Sequence, residues 1–380
     1  MKRIGRLALL VSIVAAGAAC TTDVSSVSSM GTQGRVLGGV PFLTNSLDVP
    51  HAIAAGAKGV FYATYQDIGY CPLSGCPDQP AQYYTAETLG ETALVVTDAQ
   101  NVYWTEFTTA PPHMWLRSAP QQVAYASSPT TIYETINETV ESHVDNLLSL
   151  GFLALDGGIL YWTTNPGPDN PTATTMSWCS PASCTNPPSF GLPKYSTVLA
   201  VKDGVIYIAK PEDSGTALAA CTSSSGLCTD IAGPSFDVST LTTASIDGDT
   251  LYFPSNPHNG QATGELYACA LPSCDGGPKL IGPAGYDPVV SGGVVYAGIV
   301  AVSAAFGTCR VDSCSAGPQG IDFPFEPSTS FGELGSPSPI VAAPMGGAYA
   351  YAALVLPFGS YRLTTANDPV ALVYLPPPPP

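Results

Sequence analysis

An all-β chain built from repeated small sheets is the fold class the sequence predicts. Three observations predict it: turn-forming residues are dense, charged residues are sparse, and an apolar–aromatic doublet recurs along the whole length. Of 380 residues, 38 are Gly and 37 are Pro, while 45% are hydrophobic and 11% charged. Gly and Pro at roughly 10% each, against usual levels of about 7% and 5%, argue against a helical bundle and for short strands joined by tight turns. A mean hydropathy of +0.19, with 19 Tyr and 12 Phe, excludes wholesale disorder, because enough apolar surface is present to offset chain entropy.

The doublets are Val60-Phe61-Tyr62, Val102-Tyr103-Trp104, Leu160-Tyr161-Trp162, Ile206-Tyr207, Leu251-Tyr252-Phe253, Val295-Tyr296 and Ala348-Tyr349. Their tyrosines follow one another at an average of about 48 residues, the period of one four-stranded sheet. Before each doublet stands a second apolar run across a tight turn, as in Leu153-Ala154-Leu155 before Asp156-Gly157-Gly158 and Leu199-Ala200-Val201 before Lys202-Asp203-Gly204. Asp-Gly and Gly-Gly between apolar runs favour primed hairpin turns, whose central residues need positive φ. After the doublet comes a third run that closes on a Cys, such as Leu266-Tyr267-Ala268-Cys269. A Pro-led fourth run follows, such as Pro278-Lys279-Leu280-Ile281 or Pro129-Thr130-Thr131-Ile132-Tyr133. Four short strands in each of seven repeats predict a seven-bladed β-propeller of four-stranded antiparallel blades, with six blades as the runner-up because the first and last repeats are the least regular. Residues 131–150 read two ways: as a helix, from apolar residues at spacings of four and three, or as an outer strand followed by a long loop.

Excluding Cys20, ten cysteines form five local pairs: Cys71/Cys76, Cys179/Cys184, Cys221/Cys228, Cys269/Cys274 and Cys309/Cys314. Each pair brackets a turn, so its members can face each other across a hairpin within the Cα separation a disulfide accepts. An even number beside an export signal reads as disulfides rather than a metal site, since the pairs have no companion His at ligand spacing. The second repeat carries Ser118 near the Cys position and the seventh Arg362 or Leu363. The bridges are therefore expected to reinforce the fold without defining it.

The first 19 residues have the layout of an export signal: basic Lys2, Arg3 and Arg6, an apolar run from Leu7 to Val14, then small residues up to Cys20. That run is too short to span a bilayer of about 30 Å. Gly17-Ala18-Ala19-Cys20 resembles the bacterial lipobox, with Gly where Leu is usual, and the resemblance implies a lipid on Cys20; an ordinary signal cut near Ala19 is the alternative. Residues 20–35 then form a polar tether, 36–375 the propeller, and 376–380 a polyproline tail. The lipobox, the Tyr-Trp doublets and a hairpin such as Cys71-Pro72-Leu73-Ser74-Gly75-Cys76 together resemble the β-propeller lipoproteins and secreted propeller repeats of Gram-negative soil bacteria. The resemblance implies a fold and an address in the cell envelope, at the outer membrane, but no activity.

Twelve Lys and Arg against 29 Asp and Glu give a net charge of −17, which excludes a basic stripe for nucleic acid. The four histidines, His51, His113, His143 and His258, show no metal-ligand or triad spacing, and no metal or other cofactor is expected. His258 lies in a turn-rich loop and is a candidate contact. Asp247-Gly248-Asp249 reads as a hairpin turn rather than a calcium loop. Because the doublets recur at blade period they read as inter-sheet core, leaving Trp115 and Trp178 as candidate contacts outside or beside it. The sequence therefore favours an extracytoplasmic binding or scaffold module for an envelope glycan, peptide or protein. The alternative is a propeller hydrolase or lyase acting on a polysaccharide or lactone-type substrate, with acids and His258 at the central channel.

Overall fold

In the computed structural model, the paired apolar runs fold as antiparallel hairpins. The structure describes residues 35–40, 50, 52–64, 66–73, 81–86, 91–109, 112–121, 126, 128–136, 151–164, 174–213, 215–236, 244–255, 264–299, 306–321, 326–328, 340–343, 347–355 and 370–378. Asp203 and Gly204, at φ +51° and +73°, and Gly157 and Gly158, at +55° and +79°, supply the left-handed pairs that such two-residue turns require.

The strands group into seven sheets. The inner strands of blades 1 to 7 are Ala52–Ala55, Glu91–Thr97, Leu153–Asp156, Thr197–Lys202, Ser245–Asp247, Tyr286–Ser291 and Ile340–Ala342. Second strands, which carry the doublets, are Gly59–Ala63, Asn101–Thr109, Ile159–Thr164, Val205–Glu212, Thr250–Pro254, Val294–Gly298 and Ala348–Val355. Third strands are Asp67–Pro72, Pro112–Pro120, Thr175–Cys179, Gly215–Thr222, Glu265–Ala270, Phe306–Arg310 and Val370–Leu375. Blades 1 to 6 end in the outer strands Ala81–Thr85, Thr130–Ile136, Ser189–Gly191, Cys228–Phe236, Lys279–Pro283 and Gln319–Gly320. Residues 130–136 are thus strand, and 137–150 lie outside the described residues.

Blade 7 is completed from the other end of the chain. Its outer strand is Arg35–Val40, antiparallel to Val370–Leu375 with Arg35 opposite Tyr374 and Val40 opposite Val370. A further short strand, Glu326–Ser328, pairs with the far half of Ala348–Val355. Each inner strand touches those of both neighbouring blades, and that of blade 7 touches that of blade 1, so the ring is closed. The molecule is an all-β, seven-bladed propeller.

Seven apolar clusters fill the seven interfaces between blades. Along each second strand the side chains alternate. Trp162, for example, packs toward blade 2 with Leu116, while Tyr161 packs toward blade 4 with Ile206 and Ile208. Blade 1 corrects the phase of the repeat: Phe61 faces blade 2 and Tyr62 faces blade 7, so Phe61 is the counterpart of Tyr161. Trp104, Trp162, Phe61 and Phe253 are all 0% exposed, each worth about 2–3 kcal/mol of transfer from water.

The bridges Cys179–Cys184, Cys221–Cys228, Cys269–Cys274 and Cys309–Cys314 form, with Cα separations of 5.3, 3.9, 5.0 and 5.2 Å. Cys71 is also disulfide-bonded, and Cys76 lies outside the described residues. Among the four described bridges only Cys221 and Cys228 are opposed across paired strands; in the other three the second cysteine sits in the turn, as Cys314 does within the 3-10 segment Val311–Ala316. All four bridges belong to the apolar cluster shared with the preceding blade, a placement deeper than a surface staple. Cys179 pairs with Leu160 and Cys269 with Leu251. By the same register, the counterparts in unbridged blades are Ala119, opposite Val102, and Leu375, opposite Ala348, rather than Ser118 or residues 362 and 363. At both positions the side chain is apolar and buried. Several buried disulfides point to folding in an oxidising, extracytoplasmic compartment.

Candidate functional site

The meander gives each blade two ends. At one, which we call the turn end, the inner and second strands join; at the other, the loop end, the second and third strands join and one blade passes to the next. Hydrogen bonds tie the turn end together between blades. Asp156 Oδ2 accepts from the Gly204 N–H at 3.2 Å, and Asp247 Oδ2 accepts from the Gly293 N–H at 2.7 Å. Lys202 Nζ donates to the Gly248 carbonyl and to Asp249, and Gln121 Oε1 accepts from the Lys58 N–H at 3.1 Å. Asp247 and Asp249, read from sequence as turn residues, serve this tie.

The two contact candidates that the structure describes, Trp115 and Trp178, lie on different blades. His258 lies outside the described residues, as does Cys20. Trp178, on the third strand of blade 3, packs at the rim of the core between blades 3 and 4, its ring 5.8 Å from that of Phe190. Trp115 is half-buried on the third strand of blade 2.

Around Trp115 the strand builds a polar ladder. Alternate residues of a strand share a face, so His113 and Arg117 flank it. The His113 ring stands edge-on at 4.7 Å, and the Arg117 guanidinium carbon lies 5.3 Å from the Trp115 ring centroid. Glu106 on the second strand and Glu134 on the outer strand both pair with Trp115 in register. Glu106 is 1% exposed. Its Oε2 accepts from Arg117 Nε at 3.2 Å and from the Tyr84 hydroxyl of blade 1 at 2.8 Å. Arg117 Nη1 donates to Thr131 Oγ1 at 2.7 Å, and His113 Nδ1 lies 3.7 Å from Glu134. The ladder presents hydrogen-bonding groups around an aromatic edge, which suits recognition.

A second feature gave no motif in the sequence. Asp287, the second residue of the inner strand of blade 6, is 8% exposed and has no hydrogen-bond donor among the described residues. Burial pushes its carboxyl up to about 7. Tyr286 pairs with Gly298 and Val289 with Tyr296, so Asp287 and Pro288 bulge opposite the single residue Ala297. Its φ of +44° is a left-handed conformation for a non-glycine residue that precedes a proline. The one readable signal was an Asp-Pro at the entry to an inner strand. Tyr195, between blades 3 and 4, is also left-handed at φ +61° and is 57% exposed, with Lys194 Nζ 4.8 Å from its ring centroid. Among the described residues no three His, Cys, Asp or Glu side chains converge as a metal site would require.

No family model matches the chain and no curated protein matches it. Solved structures do. A prolyl endopeptidase aligns at a TM-score of 0.52 and 12% identity, over 87% of this chain and 48% of that one. A puromycin-hydrolysing peptidase of Mycobacterium tuberculosis aligns at 0.51 and 12%, over 87% and 51%. TolB from Acinetobacter baumannii aligns at 0.41 and 11%, over 68% and 60%. The chain spans about half the length of the two peptidases, and identities this low are a likeness of fold alone.

Proposed function

We propose that the protein is a binding or scaffold module of the cell envelope, exported, held by a lipid on Cys20 and engaging an envelope glycan, peptide or protein. The observation that carries the reading is Trp115, a half-buried tryptophan outside the periodic core, set among His113, Arg117, Glu106 and Glu134. Two tryptophans of the doublets, Trp104 and Trp162, are wholly buried; Trp115 keeps a surface that a partner can use. The enzymatic alternative draws support from Asp287, but glycoside chemistry needs two carboxyl groups across one bond, and among the described residues the acid on the strands packed against it, Asp247, is at the opposite end.

The test is a binding screen of the detergent-solubilised full chain against envelope glycans and exported proteins, repeated with Trp115→Ala. A ligand weakened about ten-fold or more by the substitution is expected, as for a central aromatic contact. Undiminished binding by the variant refutes the role of Trp115, and absence of any ligand refutes the module. Incorporation of labelled fatty acid, lost in Cys20→Ser, tests the anchor separately.

A further inference from the structure

Asp287 is a buried acid that the fold does not use. Among the described residues, the other buried carboxylate, Glu106, has two donors; Asp287 has none. Its backbone is strained by a left-handed φ before Pro288. Desolvating a carboxyl without a partner and straining its backbone both cost stability, and such costs concentrate at sites kept for binding or chemistry.

The surroundings say what kind of group the carboxyl would take. The elements packed closest to the inner strand of blade 6 are the inner and second strands of blade 5, the second strand of blade 6 and the inner strand of blade 7. Their titratable residues are Asp247, Tyr252 and Tyr296. Asp247 is bound to Gly293 at the turn end. Tyr252 lies within the field of Asp247 and Tyr296 bonds the backbone of Gly347, so both hydroxyls also point to that end. Asp287 stands at the opposite, loop end, and among the described residues no cation lies beside it. The protein as a whole carries a net charge of −17, which draws cations toward it.

We propose that Asp287 is a binding carboxylate for the ammonium or guanidinium tip of a Lys or Arg side chain supplied by a peptide or protein partner at the loop end of the propeller. A slender side chain several atoms long suits a carboxyl that is only 8% exposed, whereas an amine set directly on a sugar ring is held off by the ring. This site goes beyond the Trp115 reading and does not depend on it: Asp287 lies on blade 6 and Trp115 on blade 2.

The test is calorimetric titration of the full chain with N-acetyl-lysine methylamide and N-acetyl-arginine methylamide, with glucosamine as comparator, at pH 6, 7 and 8. Saturable binding of one amino-acid probe is expected. Its affinity should rise as the carboxyl ionises, about ten-fold per pH unit below about pH 7 and level above. Protons should be released at pH 6 and not at pH 8. Asp287→Asn should bind at least about ten-fold more weakly at pH 8, with an unchanged circular dichroism spectrum. Equal binding by Asp287→Asn, binding independent of pH in the wild type, no saturable binding of either probe, or preference for glucosamine each overturns the proposal. Loss of the Trp115 ligand in the separate screen leaves this result untouched. The pH dependence of the wild type decides the matter even if the variant folds poorly.

Discussion

Replacing Asp287 by Asn should stabilise the protein, and by an amount that depends on pH. Burial raises the carboxyl from its ordinary 3.8 to about 7. At ~1.4 kcal/mol per pKa unit, that corresponds to about 4 kcal/mol between the two protonation states. The folded state therefore holds the proton more tightly than the unfolded chain does. The stability linked to Asp287 is fully present below about pH 4, and is lost as pH rises through about 7. Asn has the shape of the protonated acid and cannot ionise, so it escapes that loss. Urea or guanidinium denaturation followed by tryptophan fluorescence at pH 4, 6 and 8 measures the gap between variant and wild type, and carboxylates common to both cancel. The gap should be near zero at pH 4, several kcal/mol at pH 8, and constant above that. A gap that does not change with pH refutes the reasoning, because desolvation of an unpartnered carboxyl is its only source.

Three further outcomes follow from the packing. Glu106→Gln should cost about 3 kcal/mol by leaving the mostly buried Arg117 without its charged partner, and Arg117→Met added to it should recover part of that in urea midpoints. Trp162→Ala should cost about 3–5 kcal/mol in the same assay, since its ring is wholly buried between blades 2 and 3. Replacing both Cys269 and Cys274 by Ala should cost about 2 kcal/mol from the lost loop constraint, while keeping the far-ultraviolet spectrum of the wild type.

The sequence carried the architecture because a propeller writes itself many times. Seven turn–doublet units, each too small to bury its own faces, leave a period that survives local irregularity. The phase of that period was harder to see: Phe61 and Tyr62 are both aromatic, and only the pairing of Val60 with Cys71 shows which of them matches Tyr161. For the same reason Ser118 stood in for Ala119, a one-residue slip that exchanges the two faces of a strand. Trp115 was legible because it broke the period. The Glu106–Arg117 pair and Asp287 were not: a buried acid looks like any other acid until its neighbours across strands and blades are known. The seam in blade 7 was hidden for a related reason, since a strand pairing across more than 300 residues leaves no local mark.

That seam has a consequence for biosynthesis. Among the described strands Arg35–Val40 is the first to be made, and its mate Val370–Leu375 is the last. The earliest strand must therefore wait, edge exposed, while the six intervening blades are synthesised and begin to pair. The toroid closes only when that last segment emerges, so a premature stop before Val370 would leave a gapped arc and not a slightly shortened ring.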